Sequence, residues 1–276
     1  MKLSKPKHKN VDLTTDEQPV ILTNEEVVSL LIENLSSTTK IYVSFDGNEF
    51  KTIKPNDALS ISDVAIEEMF KEITMKADKN NVRAEILYQT PIYYTILQDY
   101  FEEWQGWGVL GYGVVSQSNE IAYQSAYSLK KSNYNDPNGG YKNLPLTLSK
   151  WILECLIYRP SNYTGGAADR IGLENNNGNG YTFCFNHSNS TMWIDKRTKG
   201  LPVRIGEVKT VNQILDEWYK VRFTRTTTGF LSFEIYLDGH LKGKVTCYDF
   251  SYKGFSRVVV RGGHEYYVDN LVVKTF

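Results

Sequence analysis

Residues 218–243 read WYKVRFTRTTTGFLSFEIYLDGHLKG, and their pattern decides the fold class. Leu231, Phe233, Ile235 and Leu237 alternate with Ser232, Glu234, Tyr236 and Asp238. That period of two belongs to a strand with one face toward a core and the other toward water. Asp238-Gly239 then punctuates the run as a hairpin turn would. The same style extends in both directions from Trp107 onward. In KWILECLIYR (150–159), Trp151, Leu153, Cys155 and Ile157 fall on one side, and Ile152, Glu154, Leu156 and Tyr158 on the other. In YTFCFNH (181–187) the aromatic side is Tyr181, Phe183 and Phe185. Loops rich in Gly and Asn separate such runs, among them 133–140, 160–170 and 176–180. About a dozen strands over about 170 residues predict a two-sheet jelly roll, with loop lengths too variable for simple up-and-down closure.

Upstream, apolar blocks over 27–88 are shorter: VVSLLIENLS, KIYVSF, FKTI, ALSIS and NVRAEILY. Asp46-Gly47 predicts a hairpin, and the whole stretch predicts a small immunoglobulin-like β-sandwich. Within SDVAIEEMFKEITMK (62–76), Ser62 or Asp63 could cap a helix. The alternation of Ile73, Met75 and Ala77 favours strand in its second half. In PIYYTILQDYFEEW (91–104) the apolar residues recur near the helical period and predict a short connecting helix. The expected organisation is an extended arm over 1–24, a β-sandwich anchoring domain over 25–90, a linker and opening strand over 91–106, and the jelly roll over 107–276.

The chain has 276 residues, which suits two domains, and its 41% hydrophobic and 23% charged content exclude disorder. A formal net charge of −1 argues against nucleic acid as a partner, since no polyanion-binding surface can cover the whole molecule. The charge is uneven. Residues 1–10 carry Lys2, Lys5, Lys7 and Lys9 without an acid, whereas residues 11–90 carry seven basic against fifteen acidic residues. The basic tail, kept extended by Pro6 and Pro19, suits either solvent or an acidic partner. Cys155, Cys184 and Cys247 lie in apolar runs without CxxC spacing, and the four His include no i, i+4 pair, so buried free thiols are expected and zinc is not. The Lys-rich start is not followed by an apolar stretch, and no long apolar run occurs elsewhere. The expectation is a protein made and folded in the host cytoplasm, without signal peptide or membrane insertion.

Several stretches of the second half, in order, carry a resemblance to a known family. They are QDYFEEWQGWGV, AYSLKKS, NGGYKNLP, DRIGLENNNGNGYTF, TMWIDKRTKG, the Trp218-to-Gly239 hairpin and YYVDNLVVK. Residues 96–276 resemble the concanavalin A-like lectin/glucanase superfamily, which includes laminin G-like modules. The resemblance implies a two-sheet jelly roll that binds saccharide on its concave face or rim loops. Sugar contact needs an exposed aromatic ring and planar hydrogen-bonding groups. Tyr181, Asn186, Trp193, Arg197, Asp169 and Arg170 are the candidates on the central strands and the loops feeding them. Trp107 and Trp218 are assigned to packing. Hydrolysis is not implied, because no Glu-x-Asp-x-Glu occurs, and Glu154, Asp169, Glu174, Glu234 and Asp238 are scattered. The expectation is therefore a non-enzyme with no catalytic residues. The same family implies a structural calcium between Asp269 of the closing strand and Asp99 or Glu102 of the opening one, and no other cofactor.

The run KIYVSFDGNEFKTIKPNDALS (40–60) is similar to small β-domains at the attachment end of bacteriophage structural proteins. That resemblance implies a multicopy virion component, held to other virion proteins through residues 1–90. Its jelly roll would attach weakly and multivalently to host-surface polysaccharide. Two alternatives stay open: a jelly roll that only decorates or glues an assembly, and a glycan-cleaving enzyme of the glucanase-like class.

Overall fold

The computed structural model describes residues 4–22, 27, 29–45, 49–61, 72–111, 115–132, 138–161, 168–262 and 265–276, all of it strand, turn or irregular backbone. Among them no helix is long and apolar enough to cross a membrane. The chain divides into two units, Met1–Tyr93 with Phe276, and Tyr94–Thr275.

The first unit contains β1 (Lys7–Leu13), β2 (Gln18–Ile21), β3 (Ser29–Asn34), β4 (Ile41–Ser44), β5 (Lys51–Ile53), β6 (Ala58–Ile61), β7 (Glu72–Ala77) and β8 (Val82–Gln89). They form two four-stranded sheets, β1-β8-β3-β6 and β2-β7-β4-β5. Alternate residues of β3, β4, β7 and β8 point into one core: Leu30 and Ile32, Ile41 and Val43, Ile73 and Met75, Ala84 and Ile86. Burying each large aliphatic contributes about 1.5–3 kcal/mol. Buried Asn34 satisfies its amide on the carbonyls of Thr39 (2.8 Å) and Lys54 (3.0 Å), which ties the end of β3 to the turns beside it.

Two expectations are corrected here. Within the stretch expected as an extended arm, residues 7–13 and 18–21 are built into the sheets: β1 pairs antiparallel with β8 from Lys7↔Tyr88 to Leu13↔Val82, and β2 pairs with β7. Val11, Leu13 and Val20 give these strands apolar residues to bury; Lys7 and Lys9 share the half-buried parity of Val11, and His8, Asn10 and Asp12 form the exposed face of β1. The helix expected within 91–104 is instead β9 (Tyr94–Asp99), paired with the chain's last strand. Pairing to a free sheet edge overrides a local helical period. The helix cap considered at Ser62 or Asp63 and the turn Asp46-Gly47 lie outside the described residues. The strands flanking that turn, β4 and β5, do pair antiparallel, and β7 is a strand as its alternation predicts.

The second unit continues with β10 (Trp107–Leu110), β11 (Val115–Ser118), β12 (Ser128–Lys131), β13 (Gly139–Leu148), β14 (Trp151–Tyr158), β15 (Asp169–Glu174), β16 (Gly180–Asn186) and β17 (Thr191–Thr198). It ends with β18 (Leu201–Thr210), β19 (Trp218–Arg225), β20 (Phe230–Leu237), β21 (His240–Tyr248), β22 (Phe255–Gly262) and β23 (Tyr266–Thr275). A seven-stranded sheet runs β10-β13-β22-β15-β16-β17-β18. The other sheet runs β11-β12-β23-β14-β19-β20-β21, with β9 beside the second half of β23. This is the two-sheet jelly roll, all-β among the described residues. Trp151, Leu153, Cys155 and Ile157 of β14 meet Tyr181, Phe183 and Phe185 of β16 and Leu231, Phe233 and Ile235 of β20 in one core. Phe183 stacks on Phe233 at 4.5 Å between centroids, and Trp151 meets Phe223 edge-on at 4.9 Å. Trp107 and Trp218 pack against aromatic neighbours, Trp104 and Tyr158 respectively.

Candidate functional site

Because Phe183 and its neighbours point inward, the other parity of each strand lies on the outer face of the seven-stranded sheet. Register arranges these side chains in cross-strand rows. One row runs Asn143–Arg257–Glu174–Gly180–Arg197, and the next runs Tyr141–Val259–Gly172–Thr182–Asp195–Arg204. In the first row the fully buried Glu174 accepts from the guanidiniums of Arg257 at 3.2 Å and Arg261 at 2.8 Å and forms an ion pair with Arg197 at 3.2 Å. Gly180 sits between Glu174 and Arg197 without a side chain. A Cβ there would lie 2.1 Å from the Leu173 carbonyl oxygen and 3.0 Å from Glu174 Cγ, so only glycine lets the strands stay at this separation.

At the β13–β22 end of the first row the face opens into a recess of about 370 Å³, lined by Tyr141, Asn143, Leu144, Asn176, Ser256 and Arg257. The turn after β15 supplies Asn176. Asn175 Oδ1 accepts the backbone N–H groups of Asn177 (2.9 Å) and Asn179 (3.1 Å), and Gly178 takes a positive φ of 74° that suits glycine. Gly200 N–H then donates to the Gly178 carbonyl (2.8 Å), pinning the turn to the β17–β18 connection. Asn176 Oδ1 accepts from Ser256 Oγ at 3.0 Å. The guanidinium of Arg257 lies 5.2 Å from the Tyr141 ring centroid. The recess thus offers a half-exposed aromatic ring, two exposed carboxamides, a hydroxyl and a guanidinium. Such groups can hydrogen-bond ring hydroxyls and take a C–H face, and they include no nucleophile or general acid.

The residues expected to touch sugar are placed otherwise. Tyr181 is fully buried in the inter-sheet core, where its hydroxyl donates to Asp249 (2.6 Å); burial and that carboxylate push its pKa up. Trp193 is on the outer face but only 4% exposed, because Arg204 covers its ring at 4.2 Å and its Nε1 donates to Asp195 (2.8 Å). Neither ring presents a free face for stacking. Arg197 is spent inside the Glu174 cluster, and Arg170 donates to Asp195 at 3.1 Å. Asn186 closes the turn after β16 by accepting from Ser188 N–H and Oγ. Asp169 lies buried at the sheet end, paired with Arg159 and His187. Arg170, Trp193 and Arg197 therefore share the outer face, with Asn186 at the same parity on the end of β16, while Tyr181 and Asp169 have the inward parity and do not join them. Tyr141, Asn143, Asn176, Ser256 and Arg257 were not foreseen. The i, i+2 pair Tyr141 and Asn143 in NGGYKNLP was the available signal, and Asn176 stands inside the quoted NNNGNG run.

The expected calcium ligands do not fit a cation. Asp99 Oδ1 accepts from Phe101 N–H (2.9 Å), and its Oδ2 from Trp107 Nε1 (3.0 Å) and Lys142 Nζ (2.7 Å). Asp269 accepts from the N–H groups of Tyr123 (2.9 Å) and Asn270 (2.7 Å) and from Ser125 Oγ (2.8 Å). Glu102 accepts from Ala126 N–H (2.8 Å), and Gln117 Nε2 occupies the carbonyls of Phe101 (2.7 Å) and Glu102 (3.0 Å). A metal that needs six to eight oxygens would meet N–H donors and an ammonium instead. Among the described residues no group of three or more His, Cys, Asp or Glu could hold a metal.

Of the scattered acids, Glu154 and Glu234 lie on the opposite sheet, in a ladder with Lys274 (2.7 Å), Lys220 (2.9 Å) and Lys244 (2.9 Å). Burial works to raise the Glu154 pKa, but the Lys220 and Lys274 ammonium groups outweigh it and hold the carboxyl at about 2. A general acid needs the opposite shift.

No family model matches the chain. An uncharacterized protein of Methanocaldococcus jannaschii is 41% identical over 184 residues, covering 64% of this chain. The chain spans only 19% of the length of that curated relative. Among solved structures, a carbohydrate-binding module of Bacillus subtilis is similar with a TM-score of 0.47 and 13% identity, over 62% of this chain and 96% of the module. An endo-beta-1,4-glucuronan lyase of the fungus Trichoderma reesei is similar with a TM-score of 0.42 and 12% identity, over 67% of this chain and 95% of the lyase. At these scores neither likeness assigns a site or a ligand to this chain.

Proposed function

We propose that residues 94–275 form a non-catalytic saccharide-binding module whose ligand lies in the recess on the outer face of the seven-stranded sheet. The observation that carries this reading is the recess itself, where a half-exposed tyrosine, two exposed carboxamides, a hydroxyl and a guanidinium converge. The inside of the sandwich, filled by aromatic and aliphatic side chains, offers a ligand no comparable polar lining. Single sites of this openness bind weakly, so the module works in many copies or beside other modules. A stretch like this one also occurs inside a longer polypeptide, the relative of which this chain spans 19%.

The narrower form of this proposal places the chain on a bacteriophage virion, with the first unit anchored to virion proteins and the second facing host polysaccharide. Its support is the likeness of residues 40–60 to phage attachment domains. Native particle sedimentation followed by mass spectrometry tests it: the chain travels with a megadalton particle, and a purely soluble chain would overturn that placement.

For the module itself, Tyr141→Ala and Asn176→Ala are expected to reduce retention on a panel of insoluble polysaccharides at least about fivefold, at near-constant melting temperature. Wild-type retention on none of the panel would leave the module as decoration without sugar binding.

A further inference from the structure

The lining of the recess contains one formal charge, the guanidinium of Arg257, and no acid. Behind it the carboxylate of Glu174 is shared by Arg197, Arg257 and Arg261. Glu174 and its partners are almost wholly withdrawn from water, which reduces the screening of their charges. Arg257 commits one terminal nitrogen to Glu174 and keeps about 12% of its side chain exposed at the recess. A planar guanidinium with free donor directions prefers a carboxylate or sulfate oxygen pair over a neutral hydroxyl. Asn143, opposite Arg257 on β13, and Asn176 of the turn after β15 line the same recess and carry amide N–H donors.

We infer that the saccharide taken by this recess is acidic, carrying a carboxylate or sulfate that Arg257 receives, with Asn143 and Asn176 supplying neutral donors and Tyr141 taking the ring's apolar edge. This rests on the saccharide-binding reading above and adds the chemical class of its ligand. The chain's overall charge of −1 makes such selectivity a property of this face, because the whole molecule does not attract polyanions.

The test is calorimetric titration of the full chain with matched pairs: polygalacturonate against its methyl-esterified form, and dextran sulfate against dextran, with poly-glutamate as a charged non-sugar. The expected result is at least about tenfold tighter binding of one or both charged members than of their neutral counterparts, the ratio that one charge-assisted contact supplies. The pair that responds tells carboxylate from sulfate. Arg257→Gln should erase the charge preference, bringing the affinities for the charged and neutral members together. Should that variant unfold, Asn143→Asp at an exposed position should repel the anion to the same effect in a folded chain. Equal affinity for charged and neutral members would overturn the acidic class and leave the saccharide reading standing. Poly-glutamate binding as tight as polygalacturonate would overturn the saccharide reading, and no binding of any probe would overturn both.

Discussion

Glu174→Ala should be among the most damaging single substitutions on the outer face of the second unit. Its carboxylate is fully buried and holds Arg197, Arg257 and Arg261 at 3.2, 3.2 and 2.8 Å. Arg197 is fully buried and Arg261 only 4% exposed, so two of the three guanidiniums cannot recover water when the carboxylate is removed. Breaking a buried pair by deleting one partner costs about 3–5 kcal/mol, because the charge left behind is uncompensated. For a unit of this size each kcal/mol moves the melting temperature by about 2–4 °C, so a drop of roughly 6–20 °C is expected. Glu174→Gln keeps the shape and one acceptor but not the charge, and should fall between alanine and wild type. The assay is calorimetric melting of the full chain, read at the transition assigned to residues 94–275 by comparison with that fragment. A shift below about 2 °C for Glu174→Ala would refute the view that this cluster ties β15, β17 and β22 together.

Other outcomes follow from the same geometry. Gly180→Ala places a Cβ 2.1 Å from the Leu173 carbonyl and should cost about 1–3 kcal/mol, visible as an earlier urea midpoint; an unchanged midpoint would show that β15 and β16 can separate freely. The Glu154 carboxyl, held at about 2 against 4.5 when free, contributes stability that is present above about pH 4.5 and is lost as the pH falls toward 2. Glu154→Gln should therefore flatten the acid limb of the stability profile over pH 2–4.5 and leave its shape at pH 6–8 alone; an acid limb as steep as wild type would contradict this. A chelator should leave the melting temperature unchanged, since Lys142, Gln117 and backbone N–H groups occupy the oxygens calcium would need, and a chelator-induced drop would restore the metal site.

The fold was legible because alternation is a local signal. The parity of Trp151, Leu153, Cys155 and Ile157 names the buried face of β14 without any knowledge of its neighbours. Partners are not local. The helical spacing of Ile92, Ile96 and Tyr100 gave way to β9 because the edge of β23 was free to pair with it, and the Lys-rich start became β1 because β8 offered an edge. The site was harder to see for the same reason. Trp193 has the right chemistry and the right face, but Arg204, eleven positions later, covers it only because β18 folds back along β17. Tyr181 carries a hydroxyl that suggests a surface, yet its strand parity points it inward with Phe183 and Phe185. The recess joins Tyr141 and Asn143 of β13 to Arg257 of β22 across more than a hundred residues of sequence, a conjunction that only the sheet order creates.

The central claim is that saccharide is bound at the recess formed by β13, β22 and the turn after β15. The most direct measurement is titration of a Tyr141→Ala/Asn176→Ala chain beside wild type with the polysaccharide that wild type retains best, with both melting temperatures recorded. The account predicts near-equal melting and a loss of affinity of at least about tenfold, as two cooperating contacts would give. Unchanged affinity in a folded double variant would contradict it and move the binding surface elsewhere on the module.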